Sequence, residues 1–279
     1  FMNFLRRNLG FFKLAILNNI EYRFNFLMDA VFQPSTSALI EITLWYAVFA
    51  GLSRNITLHP LDGTPHNTLG GFSLESYLAY AFWAPFIARI SANWMYEMRM
   101  TAEIESGSIN GLLARPVTFF EYYFSQLFGY KFITTLTSLI VPLIVVHFFF
   151  KQFDWGRFPL AMGLVFYYLI FVYMISFFIA CLAFHLNRVQ SVTVAKNLAL
   201  WLLSGELIPL DLVPAPYAQW LIHLPFANAT YIPVAYLTGR MNLNVVLQGF
   251  ASTTVGILIL GFINFFMWNW SVRKYLGTG

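Results

Sequence analysis

Three ionisable side chains stand inside runs that are otherwise apolar: Glu41, Arg89 and Glu206. A charge in hydrocarbon costs roughly 2.5–3.5 kcal/mol on insertion scales, so each must face a partner helix, another charge or water. Two uses are open to them. They can line a polar path for a charged or amphipathic molecule, or they can form structural ion pairs; sign alone allows Arg89 to pair with either glutamate. Hydrolytic chemistry has little support. Ser204-Gly205 and His223 offer a serine and a histidine, but no Gly-x-Ser-x-Gly elbow and no His-Glu-x-x-His motif occurs. The single cysteine, Cys181, excludes an intramolecular disulfide and a multi-cysteine metal site, and its apolar surroundings suit a small buried residue. The absence of any Gly-Lys dipeptide excludes a Walker A phosphate loop. We expect no catalytic residue, no metal and no cofactor held by this chain.

A second group of residues lies between two apolar blocks, in the passage Met100 to Tyr123. It carries Glu103, Glu105, Glu121 and Arg115 in a chain that is only 10% charged. Ser106-Gly107 can break a helix there. Ile109, Leu112 and Leu113 form a short apolar face. Arg115-Pro116 closes the segment, because the residue before proline avoids the helical region. Thr118 and Glu121 have capping-box spacing, which predicts a new helix from that point. Such a polar segment between two long apolar helices is placed to take a push from a soluble partner.

These residues need elements to hold them. The 279 residues are 59% hydrophobic and 19% aromatic. Ordinary soluble domains are about 25% charged, so lipid must solvate this chain, and several runs approach the ~20 residues that span a bilayer. The net charge of +4 is dispersed and gives no nucleic-acid patch. In residues 4–22, Leu5, Leu9, Phe12, Ile16 and Ile20 form one stripe of a helix, with Arg6, Lys13 and Glu21 opposite. That pattern predicts an interfacial helix with its bases toward anionic headgroups. No apolar leader with a cleavage site is read, so no cleaved signal peptide is expected.

Six spans are predicted, at about 26–50, 74–98, 122–150, 159–184, 192–210 and 245–268, the third kinked by Pro142. Residues 51–72 read as a polar loop with one sequon, Asn55-Ile56-Thr57. Residues 211–243, just beyond Pro209, are too broken for a span and too apolar for a free loop, with Asp211, Pro214, Pro216, Pro225, Tyr231 and Pro233 among them. Two short re-entrant helices fit that composition, since non-helical backbone at membrane depth needs protein or a wet cavity around it. Six spans put both termini on one side. With them fall Arg6, Arg7, Lys13, Arg23, Arg99, Arg115, Lys131, Arg188, Lys196, Arg273 and Lys274. Only Arg54, Lys151, Arg157 and Arg240 fall opposite, and this bias places the termini and the 101–117 segment in the cytoplasm.

Three passages carry a resemblance: Gly70 to Phe82, Glu103 to Tyr123 with its Leu-Leu-x-Arg-Pro pattern, and Leu203 to Gly239 with its Pro-Leu-Asp, Leu-Pro-Phe and Tyr-x-Pro series. They resemble the membrane subunits of ABC-2 type exporters, and more closely the daunorubicin-resistance-like permeases. Glu206 departs from that pattern, where a small or apolar residue is expected. The resemblance implies an all-α polytopic membrane protein with an N-terminal elbow helix, six transmembrane helices, a cytosolic coupling helix between spans two and three, and an external re-entrant pair before span six. It implies two separate ABC ATPase subunits that bind ATP and Mg, a second permease subunit (identical or paralogous) and a place in a bacterial-type inner membrane. The ATPase contact falls on Glu103, Glu105, Ser106, Gly107, Ile109, Leu112, Leu113, Arg115 and Pro116, the apolar three filling a groove of the partner. An amphipathic, lipid-like, glycan-linked, peptide or drug substrate would leave the cytoplasm by alternating access. The contrasting expectation is an ion-coupled carrier working through Glu41, Arg89 and Glu206, although no internal repeat accompanies the one broken region.

Overall fold

The computed structural model describes residues 2–21, 23–55, 68–69, 72–149, 153–186 and 188–277. Most of the expected 51–72 loop, with Ile56 and Thr57 of the sequon, lies outside the described residues, as does Lys151. The described chain is helical apart from a two-residue ribbon, β1 (Thr68–Leu69) against β2 (Phe72–Ser73). The helices are α1 (Met2–Glu21), α2 (Arg23–Leu27), α3 (Gln33–Asn55), α4 (Leu74–Ser91), α5 (Trp94–Glu105), α6 (Asn110–Leu113), α7 (Phe119–Ser138) and α8 (Ile140–Phe149). They continue with α9 (Phe158–Leu182), α10 (Gln190–Leu203), α11 (Ala215–His223), α12 (Tyr231–Leu237) and α13 (Leu243–Gly277). A π-helical turn, Met28–Phe32, joins α2 to α3 and carries Asp29.

Three helical stretches among the described residues are long and apolar enough to cross a membrane: Phe119–Phe148, Phe158–Leu182 and Leu243–Tyr275. The other expected spans fall on shorter or more polar helices. The expected 74–98 span is two helices, because Ala92 turns to extended backbone (φ −68°, ψ 142°) and the helix restarts at Trp94. The expected kink at Pro142 is displaced to Leu139, between α7 and α8. A proline removes the N–H that its i−4 residue, here Ser138, would receive, so the ladder is interrupted just ahead of the ring. The helix expected over 192–210 stops at Leu203, because Gly205 adopts φ +75° and reverses the chain.

Helix α9 is the centre of the structure. It packs against α13, α5, α12 and α4, and its inward residues Ala161, Leu164, Val165, Leu169, Tyr173 and Cys181 are fully buried. Small residues on α13 let it approach. Gly256 lies under the Phe171 ring and Gly249 under Asn228, while Asn228 Nδ2 donates to the Gly249 carbonyl (3.0 Å) and to Thr253 Oγ1 (2.9 Å). Where lipid removes the hydrophobic drive between helices, such close packing and polar bonds hold them together.

Helix α1 packs lengthwise on α7, and only part of its apolar stripe takes part: the Phe12 ring meets Phe132 at 5.8 Å. Ala15 is buried and Phe11 meets Tyr122 edge-on at 5.0 Å, whereas Leu9 and Ile20 are exposed. The contact is set by Gly129, where a Cβ would clash with the Phe12 carbonyl oxygen. Gly129→Val is expected to force α1 off α7 and cost about 1–3 kcal/mol, lowering the melting temperature in detergent. Gly10→Ala, with open space around it, is expected to leave the melting temperature unchanged.

Candidate functional site

The segment between α5 and α7 is a compact turn. Gly107 at φ +74° reverses the chain after α5. The Glu103 carbonyl then accepts from Ile109 N (3.1 Å) and Ser108 Oγ (3.3 Å). The single helical turn α6 follows, and Thr118 caps α7 by accepting from Glu121 N at 3.1 Å. Glu121 does not complete the expected capping box. Its carboxylate reaches Arg7 instead, at 2.9 Å, while Arg7 also donates to the Pro116 carbonyl. The elbow of the turn is therefore tied to α1.

Ile109 and Leu112 do not present the outward apolar face expected of them. Both are buried in a cluster with Tyr96, Met100, Ile104, Phe119 and Tyr123, and Leu113 is half-buried beside it. The heptad-like spacing marks an apolar face correctly, and the nearest apolar surface is the chain's own. What the turn shows outward is Glu105, Ser106, Ser108, Asn110, Gly111, Ala114, Arg115 and Pro116, all exposed, with Glu103 and Gly107 half-buried.

Two links run from this segment to α10. Glu105 Oε1 accepts from the backbone N–H of Val189 at 3.2 Å, just before α10 begins. Glu97, fully buried on α5, pairs with Lys196 of α10 at 2.5 Å. Neither glutamate nor lysine stands out in the sequence, because the partners are 99 residues apart. The one available signal is that both fall close to apolar runs, where an unpaired charge is costly.

The three intramembrane candidates are not brought together as one set. Arg89 pairs with Asp29 of the π-helical turn and donates to Tyr130 Oη (2.7 Å), while Lys131 Nζ donates to the Arg89 carbonyl (3.0 Å). The pairing of Arg89 with a glutamate is thus corrected to Asp29, which the π turn aims at it. Glu41 and Glu206 are half-buried and stand within electrostatic range of each other, and their carboxylates make no hydrogen bond or ion pair among the described residues. Glu206 lies in the turn after α10, not inside a helix, with its N–H on Ser204 Oγ (3.2 Å). It lines a cleft of about 430 Å³ between α10, the α4–α5 break and α9.

The 209–240 region folds around a buried pair. Asp211 pairs with Arg240 and accepts from Tyr231 Oη, and the guanidinium lies over the rings of Tyr77 (5.2 Å) and Tyr80 (5.6 Å). Pro209 and Pro214 set the extended turns on either side of the Leu210–Leu212 3₁₀ turn. Pro225 opens another 3₁₀ turn, and Pro233 is buried in the first turn of α12. This cluster fixes the broken region to α4. Among the described residues, no group of three or more His, Cys, Asp or Glu is placed to hold a metal.

A family model described as ABC-2 family transporter protein matches residues 61–279, which includes the turn, the Asp211–Arg240 pair and the lining of the cleft apart from Gln33. The chain belongs to the ABC-2 transporter family. It is a multi-pass membrane protein, the permease component of an ABC exporter and not a catalytic domain, and such permeases associate in general with an ABC ATPase. No curated protein matches the chain, and no solved structure does. In this ABC-2 permease the Glu97–Lys196 pair is expected to be a strong structural dependence. Lys196→Ala leaves a buried carboxylate without a partner, at a cost of about 3–5 kcal/mol. The double substitution Glu97→Gln with Lys196→Gln is expected to recover much of that loss in thermal unfolding measurements.

Proposed function

We propose that this permease works as half of a membrane pathway driven by two docked ATPases, and that the turn from Glu103 to Pro116 is where they push. The observation that carries this reading is the two-sidedness of the turn. Its apolar side chains anchor it to α5, α7 and α9, while the side chains at its exposed positions Asn110, Ala114 and Arg115 make no hydrogen bond or ion pair among the described residues. A lever needs both properties: rigid attachment to the spans and a free face for the partner. Arg115 and Glu105 give that face the charges that set register in a docked complex.

In this reading the chain has six spans, α3, α4–α5, α7–α8, α9, α10 and α13, with α1 as an elbow and both termini in the cytoplasm. The region 209–240 is the external re-entrant pair, tied to α4 by Asp211 and Arg240. A second permease subunit, identical or related, completes the pathway. ATP and Mg belong to the ATPases. The push at the turn passes along α5 to α10 through Glu97–Lys196 and Glu105–Val189, and an amphipathic substrate is exported by alternating access. The ion-coupled carrier reading weakens, because Arg89 is committed to Asp29 and no longer works with the two glutamates.

The test is co-purification with the ATPase encoded beside this chain. Ala114→Trp with Arg115→Glu alters only exposed positions. It is expected to reduce complex recovery at least tenfold while leaving the melting temperature of the chain alone unchanged, since truncating or reversing central contacts of an interface costs about 2 kcal/mol or more. Full recovery of the complex with this variant would remove the turn from the interface, and no complex with the unaltered chain would overturn the ATPase-driven reading.

A further inference from the structure

A polar hollow of about 600 Å³ lies under α1, bounded by α2, the π-helical turn, the start of α5 and α7. Some of its polar groups are already bonded within the chain. Asp29 pairs with Arg89 and accepts from Tyr130 Oη at 3.1 Å, and Asn19 Nδ2 donates to the Ala15 carbonyl at 2.6 Å. The Arg99 guanidinium lies over the Tyr96 ring at 5.2 Å, which closes that ring face to another cation. What remains is one charge of each sign. Arg99 and Glu21 both line the hollow, both are exposed, and neither forms an ion pair among the described residues. Amides supply the rest, donors and acceptors together. Asn18 and Asn25 are exposed, while Gln126 is only 7% exposed. None of these three amides makes a hydrogen bond among the described residues. A buried amide left unpaired is costly, and native structures rarely carry one without a reason. Trp94 stands exposed at the same hollow, and Phe24 and Leu27, on the short helix that carries Asn25, are exposed apolar side chains.

We propose that this hollow holds the headgroup of a zwitterionic phospholipid with a primary ammonium, of the phosphatidylethanolamine class. Its phosphate sits on Arg99 and Gln126, its ammonium on Glu21 and the asparagine carbonyls, and its acyl chains run along Phe24 and Leu27. Each part of the ligand answers a feature of the wall. One free cation and one free carboxylate match a headgroup that carries both signs and no net charge. A guanidinium presents its N–H groups in a fork that fits phosphate oxygens. A primary ammonium has three donors for carboxylate and amide oxygens, whereas a choline headgroup has none. An anionic headgroup satisfies Arg99 but sets its excess charge against Glu21. The place of the hollow selects a membrane lipid over a soluble phosphodiester, because α1 has the pattern of an interfacial helix and tryptophan favours headgroup depth. A lipid held there ties α1 to α5, the helix that leads into the Glu103–Pro116 turn. The proposal rests on the interfacial placement of α1 and is independent of the ATPase and of what is exported.

The full chain is purified in detergent, stripped of lipid and offered an equimolar mixture of dioleoyl phosphatidylethanolamine, phosphatidylcholine and phosphatidylglycerol. Retained lipid is identified by native mass spectrometry, and thermal unfolding is followed with each lipid alone. Phosphatidylethanolamine is expected to be retained about tenfold over each competitor, the usual weight of a charge-assisted bond, and to raise the melting temperature saturably. Arg99→Gln is expected to weaken retention of all three lipids about tenfold, since all carry the phosphate. Glu21→Gln should abolish the preference for phosphatidylethanolamine, and Glu21→Lys should turn it toward phosphatidylglycerol. Both positions are exposed, so folding is not at stake, and a merely structural role would not reverse a headgroup preference with the sign of one charge. Glu75→Gln, in a separate hollow between α3 and α4, should change nothing. Equal retention of the three lipids, a preference unmoved by Glu21→Lys, or no rise in melting temperature overturns the proposal. Equal stabilisation by soluble glycerophosphoethanolamine at the same concentration overturns the lipid as its source. Loss of the ATPase complex with the lipid preference intact would instead strike only the ATPase-driven reading.

Discussion

The buried pair between Glu97 and Lys196 is the interaction on which the rest of the arrangement depends. Glu97 is wholly inside the protein, where a lone carboxylate is prohibitively costly. The pair therefore fixes where α10 sits. Helix α10 has few other holds: its main neighbours are α5 and the 225–229 turn, and Val194, Leu198, Trp201 and Leu202 are exposed along it. Helix α5 begins at the break beside Asn93 and ends at the Gly107 reversal. One short rod thus carries the Glu103–Pro116 turn at one end and the edge of the cleft at the other, with α10 attached to its side.

The membrane explains why the chain breaks only where it does. Its helices are interrupted at Ala92–Asn93, at Leu139 and from Ser204 to Pro209, and backbone freed at such depth must find partners within the protein. It does so here. The Gly205 carbonyl accepts from Tyr80 Oη at 2.8 Å, the Ser204 carbonyl accepts from Tyr231 N at 3.0 Å, and the Arg89 carbonyl accepts from Lys131. The interruptions supply the irregular surface that a cleft requires. Asn93, Ser204 and Glu206 all come from two of these breaks.

Much of this was legible from local pattern. The Gly107 reversal, the Arg115-Pro116 corner and the Thr118 cap each depend on a few neighbouring residues, and the helix ends follow them. Apolar periodicity also marked Ile109 and Leu112 as one face. It does not say whether that face meets a partner or the chain's own core, and here Tyr96, Met100 and Phe119 claim it. Long-range pairing was not legible. Sign alone offered Arg89 two glutamates, but a π-helical turn, which no local pattern announces, brings Asp29 to it. Glu97 and Lys196 were invisible for the same reason. Glu206 was seen as an anomalous charge, but its place in a turn depended on Gly205, whose left-handed backbone ends α10 early.

The central claim is that the docking turn and α10 move as one unit. The direct measurement is a set of spin-label distances in the complex with its ATPase, taken nucleotide-free and with ATP. Labels go on the exposed positions Ser108 in the turn, Val194 in α10 and Leu258 in α13. The account predicts that the 108–194 distance stays constant while both positions shift relative to 258, and that replacing Glu97 and Lys196 by glutamine breaks this constancy. A 108–194 distance that changes with ATP while 194 holds still against 258 would contradict it.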